Sequence, residues 1–116
     1  MSTLKIQCHC GAIRITAPTP TQITRCNCSI CHRYQALWGY FSPQDVTVST
    51  AHNVEAAYVW GDKELAFIHC QNCGCVTHYR TIGGEGAPRI AVNFRMAEQE
   101  QINAVPLREF DGKTML

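Results

Sequence analysis

Long hydrophobic runs are missing from this sequence. Apolar residues make up 46% of its 116 positions, yet they come in short stretches such as Ala56-Ala57-Tyr58-Val59-Trp60. A bilayer-crossing helix needs about 20 apolar residues in a row, so no membrane span is expected. The opening MSTLKIQCHC has no apolar core and no small-residue cleavage site, so no secretory leader is expected either. An excess of one charge is also missing. Ten basic residues face nine acidic ones, for a net +1, and no run of like charge stands out. Nothing therefore argues for electrostatic binding to nucleic acid or to an anionic membrane. Repeats, linkers and low-complexity segments are absent. At roughly 100–200 residues per domain, one domain over residues 1–116 is expected.

Cysteine, by contrast, is plentiful. The eight are Cys8, Cys10, Cys26, Cys28, Cys31, Cys70, Cys73 and Cys75. Without a leader the chain is expected in a reducing, cytoplasmic setting, where lasting disulfides are rare. Close spacing points the same way. Cys-x-Cys and Cys-x-x-Cys neighbours converge readily on one ion, whereas a disulfide demands particular Cα separations and Cβ directions.

Leu4, Ile6 and Cys8 alternate with polar residues and predict a strand, followed by a second over 12–17. The Cys10-Gly11 tip between them predicts a hairpin. Pro18 to Thr21 is a loop. Further short strands are predicted over 22–26, 36–41, 46–48, 55–60, 65–70, 76–82, 89–94 and 105–110, with one or two helical turns over 29–35. Many short strands with turns between them, and no sustained helical period, predict a mainly β fold.

Cys8 and Cys10 lie two apart on a strand edge and so share a face. Cys70-x-x-Cys73-Gly74 is a second pair, with a glycine that permits a tight turn. Together they supply four thiolates, the ligand set of a closed structural zinc site. Such a staple would join residues roughly sixty positions apart and remove much unfolded-state entropy. Cys26-x-Cys28-x-x-Cys31 offers three thiols. Three protein ligands leave an open coordination position, as in catalytic zinc sites. Two alternatives stand beside that reading: a closed site completed by Cys75, His32, His69 or His78, and a metal-free cluster of oxidisable thiols. Cys75, a single thiol, reads as a small core residue. Arg25, Arg33 and Arg80 follow or flank the cysteine clusters and are candidate carboxylate contacts. His32, beside Cys31, is a candidate proton shuttle.

Cys8-His9-Cys10-Gly11, Arg25-Cys26-Asn27-Cys28-Ser29-Ile30-Cys31 and His69-Cys70-Gln71-Asn72-Cys73-Gly74 resemble, in order, the three motifs of the glutathione-dependent formaldehyde-activating enzymes: C-x-C-G, C-x-C-S-x-C and C-x-x-C-G. The resemblance spans roughly residues 5 to 110. It implies a β-tent of the Mss-four-like kind, built from short coiled antiparallel sheets. It implies structural zinc on Cys8, Cys10, Cys70 and Cys73. It also implies a second, catalytic and partly occupied zinc on Cys26, Cys28 and Cys31. The activity it implies is that of a carbon–sulfur lyase interconverting glutathione plus formaldehyde with S-hydroxymethylglutathione. The partner expected is therefore a small thiol such as glutathione, with no nucleic acid and no membrane. Thiolate ligation would make the metal-loaded chain net negative, which disfavours phosphate binding. A non-catalytic zinc module that binds another protein is the rival reading.

Overall fold

The structure is a computed structural model and describes residues 2–115. Its strands are β1 (Thr3–Gln7), β2 (Ile13–Pro18), β3 (Ile23–Cys26), β4 (Trp38–Phe41), β5 (Thr47–Thr50), β6 (Glu55–Tyr58), β7 (Leu65–Cys70), β8 (Val76–Thr81), β9 (Ile90–Asn93) and β10 (Leu107–Phe110). Three short helices join them: α1 (Ser29–Tyr34), α2 (Gln99–Asn103) and α3 (Gly112–Met115). The fold is mainly β, as the alternation predicts. The strands form two sheets, ordered β1-β2-β5 and β10-β3-β4-β9-β8-β7-β6.

The pairing is antiparallel with one exception. β10 runs parallel to β3, with Phe110 opposite Cys26, so the expectation of antiparallel sheets fails at that edge. A parallel pair needs a long crossover, and the chain between residues 26 and 107 supplies it. The predicted strand over 105–110 shortens to 107–110. Helix α2, which the sequence reading did not include, precedes it with a capping box between Glu98 and Gln101.

The seven-stranded sheet carries an apolar cluster on each face, because side chains along its strands alternate. Ile13, Ile15 and Ile6 of the small sheet pack on Ile23 and Val92 of the large one and on Leu37 and Phe94, which flank its strands. The opposite face carries Trp38, Phe67, Tyr79 and Ala91, together with Cys26 and Cys31. Gly39 lies under the Phe94 ring, which occupies the space a Cβ would need. Each face of the large sheet thus receives one cysteine cluster. Cys8 and Cys70 belong to the face covered by the small sheet, Cys26 and Cys31 to the aromatic face.

Candidate metal centres

The first centre forms where the β1–β2 hairpin meets the end of β7. The Cys8 amide donates to the Ile13 carbonyl at 3.0 Å and the Gly11 amide to the Cys8 carbonyl at 3.0 Å, which curls the tip and turns Cys10 back over Cys8. Across from it, Gly74 at φ +84° closes the Cys70–Cys73 knuckle, with its amide donating to the Cys70 carbonyl at 2.8 Å. A side chain at that φ is strained, which is why glycine stands there. The Sγ atoms of Cys8, Cys10, Cys70 and Cys73 all lie within 4.8 Å of one another. Cys8 to Cys10 is 3.7 Å, and Cys10 to Cys70, sixty residues apart, is 3.6 Å. Disulfide sulfurs would be about 2 Å apart. Four sulfurs each about 2.3 Å from one zinc, at tetrahedral angles, lie about 3.8 Å apart. The donor set and its spacing fit zinc.

Electrostatics favour ligation here. The Cys75 amide, opposed by burial and helped by the Cys10 amide, holds the Cys73 thiol down to about 5. The Asn72 side chain and the Ala12 amide lower Cys10. Burial pushes Cys70 up to about 11, so a cation is what makes that buried thiolate favourable. The Ile13 amide donates to Cys8 Sγ at 3.3 Å, the kind of outer hydrogen bond that orients a metal ligand.

The second centre spans the β3–α1 turn. The Sγ atoms of Cys26, Cys28 and Cys31 lie within 4.8 Å of one another. Cys26 ends β3, Cys28 precedes α1, and Cys31 sits one turn into the helix, so strand and helix each contribute. The Cys28 amide donates to Cys26 Sγ at 3.5 Å, and the Trp38 indole N–H donates to Cys31 Sγ at 3.3 Å. Burial raises Cys26, and burial raises Cys31 strongly despite the indole. Burial also opposes ionisation of Cys28, but the Cys31 amide, the Cys31 and Cys26 thiols and the Ile30 amide outweigh it, and Cys28 is lowered. One lowered thiol and two that burial raises make a set that could hold a metal, giving up protons to do so.

Among the described residues, no fourth ligand joins this trio. Cys75 is half-buried beside the first centre, with Cys73 and Cys8 raising its thiol after burial itself. His32 is on the outer side of α1 and exposed, and His69 is half-buried. His78 follows the opposite face of the sheet from Tyr79, and Tyr79 is the one on the Cys31 side. Two surface depressions, of about 620 and 290 Å³, lie elsewhere, the larger around Lys5, Arg14, Thr16 and Ser49, the smaller around Arg25 and Arg95.

The arginines rearrange the sequence reading. Arg25 pairs with Glu109, and Arg80 makes a fork onto Glu55 at 3.3 and 3.2 Å. Arg33 is spent on the carbonyl of Ser29 in its own helix, at 2.8 Å. On the cysteine face Arg89 and Arg108 stand instead, along with Tyr40 and Tyr79. Tyr58, Phe67, Tyr79, Ala91 and Tyr40 make one cross-strand row over that face. Only strand register brings them into line, since they come from five separate segments.

Two comparisons bear on this arrangement. A crystal structure of a Rhodobacter sphaeroides protein shares the fold, with a TM-score of 0.73 and 24% identity, covering 90% of this chain and all of that one. The profile of the family described as "Glutathione-dependent formaldehyde-activating enzyme" matches residues 3–108. That span takes in both cysteine clusters and all of both sheets except the last two residues of β10, and the chain belongs to the glutathione-dependent formaldehyde-activating enzyme family.

Proposed function

We propose that the chain adds a thiol such as glutathione to formaldehyde, or runs the reverse cleavage, at the Cys26–Cys28–Cys31 centre. One observation carries this reading: three convergent sulfurs that, among the described residues, no fourth ligand joins, set on an aromatic face. Cys8, Cys10, Cys70 and Cys73 would hold a structural zinc, and Cys26, Cys28 and Cys31 a second one. Bound at the second centre, zinc supplies positive charge that favours the thiolate form of an incoming thiol.

In the net reaction the thiol sulfur bonds to the aldehyde carbon. The C=O π pair moves to oxygen, and that oxygen takes up the proton the thiol gave up. Cys31 is fixed for this by the Trp38 indole, and Trp38 by edge-on packing against Tyr79 at 5.0 Å. Phe67 and Tyr79, with ring centroids 5.1 Å apart, exclude water from beneath the cluster. Burial raises Tyr40 and Tyr79, so both phenols keep their protons and are donors at neutral pH. A neutral donor beside a developing alkoxide stabilises the product side of the addition.

The test is formation or breakdown of S-hydroxymethylglutathione above the spontaneous rate. Zinc-loaded wild type is expected to exceed the blank, and Cys28→Ser to fall to the blank while remaining folded. Equal rates for blank, wild type and variant overturn the assignment. The rival reading is a zinc module without turnover, and the same assay decides between them.

A further inference from the structure

We propose that Arg89 and Arg108 are the residues that anchor the carboxylates of the thiol at the second centre. The inference deepens the reading above and rests on it for the thiol.

Ion pairs hold two of the other arginines and backbone carbonyls hold three. Arg25 and Arg80 are neutralised by Glu109 and Glu55. Arg14, Arg33 and Arg95 bond to the backbone carbonyls of Gly11, Ser29 and Gln35. Among the described residues, neither Arg89 nor Arg108 has a carboxylate within salt-bridge distance. Instead, aromatic rings hold their guanidinium groups. Arg89 Cζ is 4.7 Å from the Tyr40 ring centroid and 5.6 Å from that of Tyr79. Arg108 Cζ is 5.0 Å from the Phe110 ring, and its Nη1 donates to Thr24 Oγ1 at 3.4 Å. A guanidinium stacked on a ring keeps its N–H edge free and loses little freedom on binding a carboxylate.

Both cations look onto the cysteine face. Arg89 stacks on Tyr79, Tyr79 packs on Trp38, and Trp38 donates to Cys31. Arg108 is opposite Thr24, two residues before Cys26 on β3, while Phe110 is opposite Cys26 itself. The two arginines therefore approach the trio from β9 and β10, with β3 and β4 between them. A thiol whose sulfur sits at the cysteines and whose backbone carries carboxylates would meet one cation on each side. Thiols without carboxylates would leave both unpaired.

S-methylglutathione and its dimethyl ester probe the anchors without the thiol, and binding to the zinc-loaded protein is read by calorimetry. Wild type is expected to bind the diacid roughly ten- to a hundredfold more tightly than the diester, the range of a charge-assisted pair. Arg89→Met is expected to lose roughly tenfold on the diacid and nothing on the diester. Arg89→Lys should retain part of the affinity, since charge survives and the fork does not. Arg25→Met should match wild type. Equal binding of diacid and diester overturns the proposal, as does equal loss of both in Arg89→Met, or no measurable binding of the diacid at millimolar concentration. Turnover is a separate readout. If S-hydroxymethylglutathione is made while diacid and diester bind alike, the anchors fail and the activity stands. If the diacid is preferred and nothing turns over, the activity fails and the anchors stand.

Discussion

His78 shows how far one residue's environment can outweigh its chemistry. It is a good zinc ligand by type, yet it stands in β8 at 0% exposure, with Nδ1 2.7 Å from the Thr77 hydroxyl and Nε2 3.7 Å from Glu55 Oε2. Nε2 has no hydrogen-bond partner, so charging the ring would strand a buried cation at long range from its carboxylate. Burial first, then the Arg80 charge, press its pKa down to about 4, with Glu55 opposing. In the unfolded chain His78 takes a proton near the ordinary value of about 6.5. Between those values the unfolded state binds more protons than the folded one, so stability rises with pH across that window and is lost as pH falls from about 6.5 to 4. The shift corresponds to an order of 3 kcal/mol. His78→Gln is expected to flatten this part of the pH dependence, measured by urea unfolding at several pH values against wild type. An unchanged slope in the variant would remove His78 as its source.

Among the elements, β10 and the residues after it brace the second centre from outside its own segment. Asn27, between two of the three cysteines, is held there from a distance of more than eighty residues. Its amide donates to the Phe110 carbonyl at 3.2 Å, its Nδ2 to Asp111 Oδ1 at 3.0 Å, and its Oδ1 accepts from the Lys113 amide at 2.8 Å. The Asn27 side chain, followed by Thr114, lowers the Asp111 carboxyl, which marks these bonds as favouring its charged form. Asn27 touches no metal, but it sets the path of the chain from Cys26 to Cys28. Asn27→Ala is expected to weaken zinc at the second centre roughly tenfold, the scale of outer-shell losses at metal sites, and to leave the first centre unchanged. Competition with a metal indicator of known affinity separates the two. Equal affinities in wild type and variant would show that β3 and α1 hold the cysteines without this strap.

In the molecule as a whole, the two cysteine clusters sit on different faces of the large sheet, and metal held at each would constrain the chain differently. Metal held at the first would join the hairpin of the small sheet to the end of β7 across the sixty residues between Cys10 and Cys70, in a chain with a Cα radius of gyration of 13.5 Å. Closing so long a loop through a metal restricts the unfolded chain heavily, and structural zinc contributes on the order of 10 kcal/mol in small domains. The second would draw three ligands from six consecutive residues and constrain only a turn. Cys70→Ser should therefore leave insoluble protein or lower Tm by more than about 10 °C, whereas Cys28→Ser should stay within a few degrees of wild type. Circular dichroism melts of the two purified variants test this. Similar melting of both would make the centres equivalent in stability.

Much of this was legible in the residues alone. Alternation over Leu4–Cys8 and 65–70 marks strands because side chains of a half-buried strand alternate in polarity. Spacing within each motif groups Cys8 with Cys10, Cys70 with Cys73, and Cys26 with Cys28 and Cys31, because ligands two or three apart converge without help from the rest of the fold. The parallel β10–β3 pair, the alignment of Tyr40 with Tyr79 and the seating of Arg89 over both could not be read that way. They depend on strand order and register, which are long-range properties. The same holds for charge: Arg25 and Arg80 match carboxylates in the sequence as well as Arg89 does, and only folding gives the first two a glutamate and leaves the third without one. Ligand identity is local chemistry and survives in a string of letters, while which face a group shares, and with what partner, is decided when distant strands pair.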